Sequence, residues 1–305
     1  FGPILIKKNI AVRLRRLPTV TGALGKYPQG NYKKPMRRRL FTVLIMTLIG
    51  VPAILIGGIF YFLLMATFLL GATREYVQLF RAVKLEPNMQ ITMGGVASVI
   101  FTRMFFPEYA IPALVLFIFI AMTYHLSIYE KGRDQSAIDF AITVTGIVYI
   151  GWLGAYLLDL RNLPQGGWWF MLVMFCIWGG DSGAYSIGRA YGKHKIAPRL
   201  SPKKSWEGYI ASVFSGAVIG AFYLYVFTTF GYLETDMTYL QAAIMGLLLG
   251  ALPTLGDLGE SMIKRQSGIK DSSDIMPGHG GFFDRIDSWI WGAPIGFYFL
   301  MWFIL

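Results

Sequence analysis

The sequence predicts the all-α fold class, as a polytopic integral membrane protein with about nine transmembrane helices. Of its 305 residues, 55% are hydrophobic and only 15% are charged. The mean hydropathy of +0.51 exceeds that of soluble domains of this length. Several apolar runs reach the roughly 17 to 25 residues that cross a bilayer as a helix. The runs lack a two-residue alternation, so they favour helices over a barrel.

Nine apolar segments give the order of the predicted helices. Pro52, Gly57 and Gly58 mark a turn between the first two segments, which together would be too long for a single span. The segments are 40–56, 58–80, 91–106, 110–126, 138–159, 168–190, 208–229, 240–264 and 286–305.

Basic residues indicate which loops lie inside. With the N-terminus inside, the inner loops 81–90, 127–137, 191–207 and 265–285 hold nearly all loop Lys and Arg, whereas the outer loops hold only Arg161. Short basic loops stay on the cytoplasmic side of a membrane. This distribution supports nine helices with a cytoplasmic N-terminus, in a bacterial-type inner (plasma) membrane.

Residues 1–39 form a basic arm with eleven Lys and Arg and no acid. Beside a membrane helix, we expect anionic lipids rather than nucleic acid to be its partner, at about 1 kcal/mol per basic residue. The chain begins at Phe1 rather than Met, which leaves its true N-terminus open. We expect three regions: this cytoplasmic arm, a transmembrane scaffold over 40–160 and a catalytic transmembrane region over 161–305.

The cysteine and histidine content argues against disulfide and zinc chemistry. Cys176 is the single cysteine, so no intramolecular disulfide can form. His125, His194 and His279 are scattered without the spacing of metal ligands.

Charged residues cluster near the end of the 240–264 segment. Asp257, Glu260, Ser261 and Lys264 follow the i, i+3, i+4, i+7 spacing that places side chains on one helix face. A carboxylate there costs several kcal/mol unless it is paired or binds a cation, which makes it a functional candidate. The alternative is an ion pair of Asp257 with Lys264 or Arg265.

Asp284 and Asp287 open the last predicted helix with the same i, i+3 spacing. Either they are dipole partners of the helix N-terminus or, if the last two helices pack together, Asp284 converges with Asp257 to bind a hard cation such as Mg²⁺. The loop before them offers groups for phosphate, through its cations and backbone N–H donors. These groups are Lys264, Arg265, Lys270, His279, Gly280 and Gly281.

The 168–190 segment contains Asp181, with Tyr185 on the same face. Asp181 is either a functional residue or a partner of Arg189, and burying such a pair for packing alone is costly. In the following loop, Lys203 and Lys204 are either phosphate ligands or topology signals. Ser205 is expected to cap the next helix.

Three stretches resemble the phosphatidate cytidylyltransferase (CDP-diacylglycerol synthase) family. They are SMIKRQSGIKDSSDIMPGHGGFFDRID at 261–287, DSGAYSIGRAYGK from Asp181 and SPKKSWEG from Ser201. The first carries many fixed charges, so it is a specific signal. The resemblance implies the reaction of CTP with phosphatidate to give CDP-diacylglycerol and pyrophosphate.

The resemblance also implies roles for single residues. The acid of GDLGES, Asp257, and the first acid of HGGFFDRID, Asp284, correspond to Mg²⁺ ligands, with a monovalent cation such as K⁺ nearby. Ser261, Lys264 and Asp287 match neighbouring catalytic positions. The expected substrate-binding residues are Asp181, Tyr185, Lys203, Lys204, Arg265, Lys270, His279, Gly280, Gly281 and Arg285.

The expected partners are CTP, phosphatidate, anionic membrane lipids and, in a homodimer, a second copy of the chain. Two other functions stay open: a CTP-dependent lipid-alcohol (polyprenol or phytol) kinase, and a non-catalytic lipid transporter. A transporter would explain buried acids but not the combination of metal ligands with the HGG loop.

Overall fold

The computed structural model describes residues 36–269, 272–273 and 280–305, and these form a bundle of helices with one small hairpin. The helices are α1 Met36–Ile56, α2 Gly58–Arg81, α3 Met89–Phe105, α4 Ala110–Glu130, α5 Ser136–Gly146, α6 Tyr156–Asn162, α7 Gly166–Tyr191, α8 Trp206–Thr229, α9 Tyr239–Ala251, α10 Pro253–Gln266 and α11 Phe283–Phe303. Strands β1 (Lys195–Ala197) and β2 (Ser201–Ser205) pair antiparallel between α7 and α8. Most of the basic arm 1–39 lies outside the described residues.

Six stretches of the described residues are long and apolar enough to cross a membrane. The chain is therefore a multi-pass helical membrane protein, which confirms the predicted fold class. The remaining predicted segments coincide with α1, α3 and α11, so the count of nine crossings stays a prediction. The six stretches are Gly58–Arg81, Pro107–Glu130, Ser136–Asn162, Gly166–Tyr191, Trp206–Thr229 and Tyr239–Gln266.

Two predicted helices are interrupted, and each break has a local cause or form. The 240–264 segment divides at Pro253, which starts α10 after α9 ends at Ala251. Proline has no N–H to donate and its ring clashes with the preceding turn. The 138–159 segment passes from α5 through a π-helical turn, Ile147–Trp152, into α6. Such turns re-aim the following side chains and are frequent near functional sites.

The core lies around α2, α6, α7 and α11. Tyr61 on α2 is completely buried, donates its hydroxyl to Leu157 O over 2.8 Å and packs edge-on against Phe170. Such an aromatic pair contributes about 0.5–1.5 kcal/mol beyond its buried area. The phenol needs a polar partner once it is buried, which fixes α2 against α6 and α7.

Helices α8 and α9 approach closely because small residues face each other. A Cβ added at Gly216 would lie 2.3 Å from Gly246 O, and one at Gly250 would lie 2.4 Å from Ser212 O. Backbone contact of this kind stabilises helix pairs in membranes. Helix packing is thus the role of these glycines. The sequence indicates the same role, because Gly216 with Gly220 and Gly246 with Gly250 have the small-xxx-small spacing that lets helices approach.

The loops fall into two groups at opposite ends of α2. At its N-terminal end, Arg161 donates to Ile54 O and to Leu55 O, and so caps the end of α1. At its C-terminal end, Arg133 binds Asp139 and Glu86 at 2.5 and 3.0 Å. The predicted outer loop at Arg161 and the predicted inner loops 81–90 and 127–137 therefore lie at opposite ends of α2.

This separation gives a topology prediction for single introduced cysteines. In intact cells, a cysteine at the exposed Glu234 should react with an impermeant thiol reagent, and one at the exposed Asp134 should react only after permeabilisation. Cys176 is buried and serves as the unreactive background. Labelling of the Asp134→Cys protein from outside would contradict the predicted orientation.

Candidate active site

A cavity of about 1510 Å³ opens among α1, α2, α7, the hairpin, α10 and α11. One part of its wall is apolar, with Met46, Ile54, Met65, Phe170 and Trp178 among its residues. The other part is charged, with Asp181, Lys195, Lys203, Lys204, Asp257, Asp284, Arg285 and Asp287. One cavity thus offers surfaces both for an apolar chain and for a highly charged group.

Asp257 on α10 pairs with a lysine from the hairpin. Lys204 Nζ lies 2.6 Å from Asp257 Oδ2, and Ser261 Oγ donates to Oδ1 over 3.5 Å. The alternative partners considered from sequence, Lys264 and Arg265, do not pair with it. Lys264 lies seven residues further along the helix, about 10 Å along the axis.

Lys264 joins α10 to α11 through two carboxylates. Its Nζ lies 2.7 Å from Glu260 Oε2 and 2.5 Å from Asp284 Oδ1. All three side chains are nearly buried, with exposures of 10%, 2% and 11%. A charge in such a setting is tolerated only with opposite charge or strong hydrogen bonds beside it. The ammonium therefore holds the two helices at a fixed separation.

Asp284 is surrounded by donors from its own loop. Its Oδ2 accepts from Ser272 Oγ at 2.7 Å, Ser272 N at 3.1 Å and Gly281 N at 2.9 Å. Gly280 has φ +81°, a left-handed conformation that turns the chain back towards this carboxylate. The Gly281 N–H, expected from sequence to meet phosphate, donates to Asp284 here.

Three carboxylates form the best group for a metal ion among the described residues. Asp257, Glu260 and Asp287 each offer one oxygen, and these oxygens lie within 4.8 Å of one another. Glu260 Oε1 is buried with no hydrogen-bond partner, which is costly for a carboxylate oxygen. An all-oxygen set suits Mg²⁺, so the residues fit that ion. The predicted pairing of Asp257 with Asp284 as ligands stays a prediction, since protein donors engage both oxygens of Asp284 here.

The remaining predicted site residues differ in the contacts that they make. Tyr185 accepts from Arg189 Nη1 at 2.9 Å, and Arg189 does not pair with Asp181 among the described contacts. Arg285 lines the cavity, while its Nε is buried without a partner there. Arg265 instead donates to Leu200 O, next to the hairpin. Lys270 and His279 lie outside the described residues.

The hairpin is the clearest departure from the sequence analysis, which expected only a loop at 191–207. Lys195 pairs in register with Ser205, which places Lys195 and Lys203 at the cavity. Ser205 caps α8 by accepting from Gly208 N at 3.3 Å, as predicted. Strands this short, rich in Lys and Ser, give too little alternation to be recognised.

Glu260 was placed on the correct helix face by the sequence but was not assigned a role. Its signal was present, because it follows Asp257 by three residues. Its place between Lys264 and the other two carboxylates depends on how α10 packs against α11. Periodicity within one helix carries no information on that packing.

These features define a class: a multi-pass helical membrane protein whose lipid-compatible cavity ends in carboxylates and cations suited to metal and phosphate. The chain belongs to the cytidylyltransferase family, whose model, described as "Cytidylyltransferase family", matches residues 37–303.

Curated relatives carry the name phosphatidate cytidylyltransferase. One from Synechocystis sp. is 28% identical over 299 residues, covering 87% of this chain and 96% of the relative. One from Haemophilus influenzae is 43% identical over 137 residues, covering 45% of this chain and 47% of the relative. One from Pseudomonas aeruginosa is 41% identical over 160 residues, covering 51% and 55%. The similarity thus extends over nearly the whole chain in the first case and about half of it in the others.

Removing the shared lysine should destabilise the fold. Lys264→Met leaves Glu260 and Asp284 buried without their cation, so we expect the free energy of unfolding to fall by about 3–5 kcal/mol. Adding Asp284→Asn should restore part of the loss, because one uncompensated charge is removed. Thermal unfolding in detergent measures both, with exposed Lys131→Met as the control. Equal midpoints for Lys264→Met and Lys131→Met would contradict this account of the charge cluster.

Proposed function

We propose that this chain transfers the cytidylyl group of CTP to phosphatidate, giving CDP-diacylglycerol and pyrophosphate. The observation that carries the proposal is the single cavity with an apolar wall and a charged end, in a member of the cytidylyltransferase family. Relatives named for this activity match the chain over most or half of its length. We place the protein in a bacterial plasma membrane with the charged end facing the cytoplasm, where the basic loops predict it to lie.

The charged end has the groups that this reaction needs. A phosphatidate oxygen attacks the α-phosphorus of CTP, the bond to the β-phosphate oxygen breaks, and pyrophosphate leaves. Lys203, Lys204 and Arg285 line the cavity and would donate to the phosphates, which stabilises the charge that develops on the leaving group. The nucleophile is already an anion, so the site needs positioning and electrostatics more than a general base.

Asp257, Glu260 and Asp287 would hold Mg²⁺, with Asp284 as the ligand that the family resemblance adds. Bound there, the ion would neutralise phosphate charge and orient the nucleotide. Lys264 would hold Glu260 and Asp284 in place through its two ion pairs. Lys204 forms an ion pair with Asp257 in this structure. Its ammonium group would therefore be able to contact a phosphate of CTP that lies next to this carboxylate. We propose that a monovalent cation such as K⁺ also binds near these carboxylates, as the family resemblance implies.

The apolar wall would receive the acyl chains of phosphatidate. Met46 and Ile54 on α1, Met65 on α2, and Phe170 and Trp178 on α7 line it. Burial of hydrocarbon contributes about 0.8 kcal/mol per CH₂ group, so such a wall can hold a lipid whose head group reaches the charged end. The basic arm is proposed to hold anionic lipid at the membrane surface without a chemical role.

A substrate comparison tests the proposal. The purified protein, given CTP and Mg²⁺, should release pyrophosphate and form a cytidylyl lipid with phosphatidate, and should form no phosphorylated product from polyprenol or phytol. ATP in place of CTP is the control for the nucleotide. Phosphorylation of the lipid alcohol with release of CDP would show a kinase instead, and binding of phosphatidate without turnover would show a transport or binding protein.

Isosteric removal of single charges tests the metal group. Asp257→Asn, Glu260→Gln and Asp287→Asn should each lower the turnover rate by roughly 10³, because several kcal/mol of charge stabilisation is lost and each 1.36 kcal/mol is tenfold. The Mg²⁺ concentration for half-maximal residual activity should rise at least tenfold. The exposed Asp134→Asn protein is the matched control. Near-normal turnover at ordinary Mg²⁺ in any folded variant would remove that residue from the group.

The same assay decides the place of Asp284. If Asp284 is a metal ligand, Asp284→Asn should shift the Mg²⁺ dependence as the other three variants do. If it acts only through Lys264 and Ser272, turnover should fall while the Mg²⁺ dependence stays unchanged.

A further inference from the structure

Glu75 is a carboxylate in the C-terminal part of the apolar helix α2, and neither the sequence nor the family name assigns it a role. The residue is 1% exposed and makes no ion pair among the described residues. It does not line the cavity. A buried carboxylate without a cation needs several strong hydrogen bonds to be tolerated. Glu75 has them, and among the described residues all of its donors come from the segment that carries Asp284.

Two of these bonds come from the start of α11. Phe282 N donates to Glu75 Oε1 over 3.1 Å, and Phe283 N donates to Oε2 over 2.9 Å. The residue at the N-cap position of α11 is Phe282, whose side chain cannot accept a hydrogen bond. The first N–H groups of a helix have no partner within the helix. Glu75 supplies the missing cap from another helix, and its negative charge complements the α11 dipole.

Two further bonds come from hydroxyl groups. Ser272 Oγ lies 2.8 Å from Glu75 Oε2 and also 2.7 Å from Asp284 Oδ2. Ser273 Oγ lies 2.5 Å from Glu75 Oε1. Ser272 Oγ therefore lies between the carboxylates of α2 and α11, and its one proton is available to either of them; the α11 carboxylate in turn binds Lys264.

Gly281 shows how closely this arrangement is packed. A Cβ there would lie 2.2 Å from both Glu75 Oε2 and Ser272 Oγ. A side chain at this position would displace the Glu75 carboxylate and the Ser272 hydroxyl, so glycine preserves their arrangement. The second glycine of the HGG motif thus makes room for Glu75.

We propose that Glu75 is a positioning residue for the reaction: it caps α11 from α2 and thereby fixes Asp284, Arg285 and Asp287 against α10. The rate effect of this role rests on the proposed function. Its structural effect does not, because the hydrogen bonds to Phe282 and Phe283 can be measured without turnover. The inference also extends the site into the region that the sequence analysis treated as scaffold.

Hydrogen exchange of backbone amides is the direct test. In Glu75→Gln one carboxylate oxygen becomes an NH₂ group, so either the Phe282 or the Phe283 amide loses its acceptor. We expect exchange at one of these two amides to become at least tenfold faster, and exchange in α8 to stay unchanged. Asp139→Asn is the matched control, because Asp139 is equally buried and accepts hydrogen bonds from Glu86 N and Arg133. Asp139 lies at the start of α5 and does not line the cavity.

Steady-state kinetics on the same proteins give the second readout. We expect kcat of Glu75→Gln to fall at least tenfold while KM for phosphatidate stays within threefold, because the apolar wall is untouched. Glu75→Asp keeps the charge on a shorter side chain and should recover part of kcat. Combining Glu75→Gln with Asp284→Asn should scarcely lower the rate below that of Asp284→Asn alone, as expected of residues that act as a unit. Asp139→Asn should keep wild-type kcat.

The outcomes separate the two proposals. Unchanged exchange at Phe282 and Phe283 in Glu75→Gln overturns the inference, as does faster exchange in a variant with wild-type kcat. If the wild-type protein makes no cytidylyl lipid, the proposed function fails, and the exchange result alone decides the role of Glu75. If Glu75→Gln does not fold, Glu75→Asp is read in the same way, and wild-type exchange and kcat in that folded variant would refute the role.

Discussion

The site depends on one requirement, that every charge buried between α10 and α11 be compensated. Lys264 meets it by binding Glu260 and Asp284 at once. Coulombic attraction is strong in such a poorly solvated setting, but so is the cost of moving the charges out of water. The pair of ion contacts is therefore stable only while both helices stay in place. By binding a carboxylate on each helix, Lys264 fixes the distance between α10 and α11.

This constraint explains why the carboxylates can be close together. Asp257, Glu260 and Asp287 bring oxygens within 4.8 Å of one another, an arrangement that like charges oppose. Lys204 and Lys264 compensate part of the charge, and a divalent ion would compensate more. The orphaned Glu260 oxygen shows where protein donors do not reach. The site is thus suited to bind a cation such as Mg²⁺.

The sequence predicted much of this arrangement. Apolar length and loop charge indicated the helices, including the turn at Gly57, because spans and topology follow from local composition. Helical spacing placed Asp257, Ser261 and Lys264 on one face. The small-residue spacing in α8 and α9 indicated their close packing. Each of these depends on residues that are near one another in the chain.

The rest could not be predicted, because it depends on contacts between distant segments. Lys204 and Asp257 are paired through the hairpin, and Ser272 and Glu75 lie 197 residues apart in sequence. Glu75 was not among the residues that the sequence indicated as functional, because its partners lie far away in the chain. The sequence contains Pro253, but the break that it makes in the 240–264 segment could not be predicted, since membrane helices often tolerate a proline. Tertiary packing decides which acids meet and which cation lies between them.

The fate of the CTP phosphates tests the central claim most directly. With phosphatidate and the purified protein, label in the α-phosphate of CTP should appear in the lipid product, and label in the γ-phosphate should appear in pyrophosphate. This result would show that the protein transfers the cytidylyl group of CTP to phosphatidate. Label from the γ-phosphate in the lipid, with none from the α-phosphate, would contradict the account and show phosphoryl transfer.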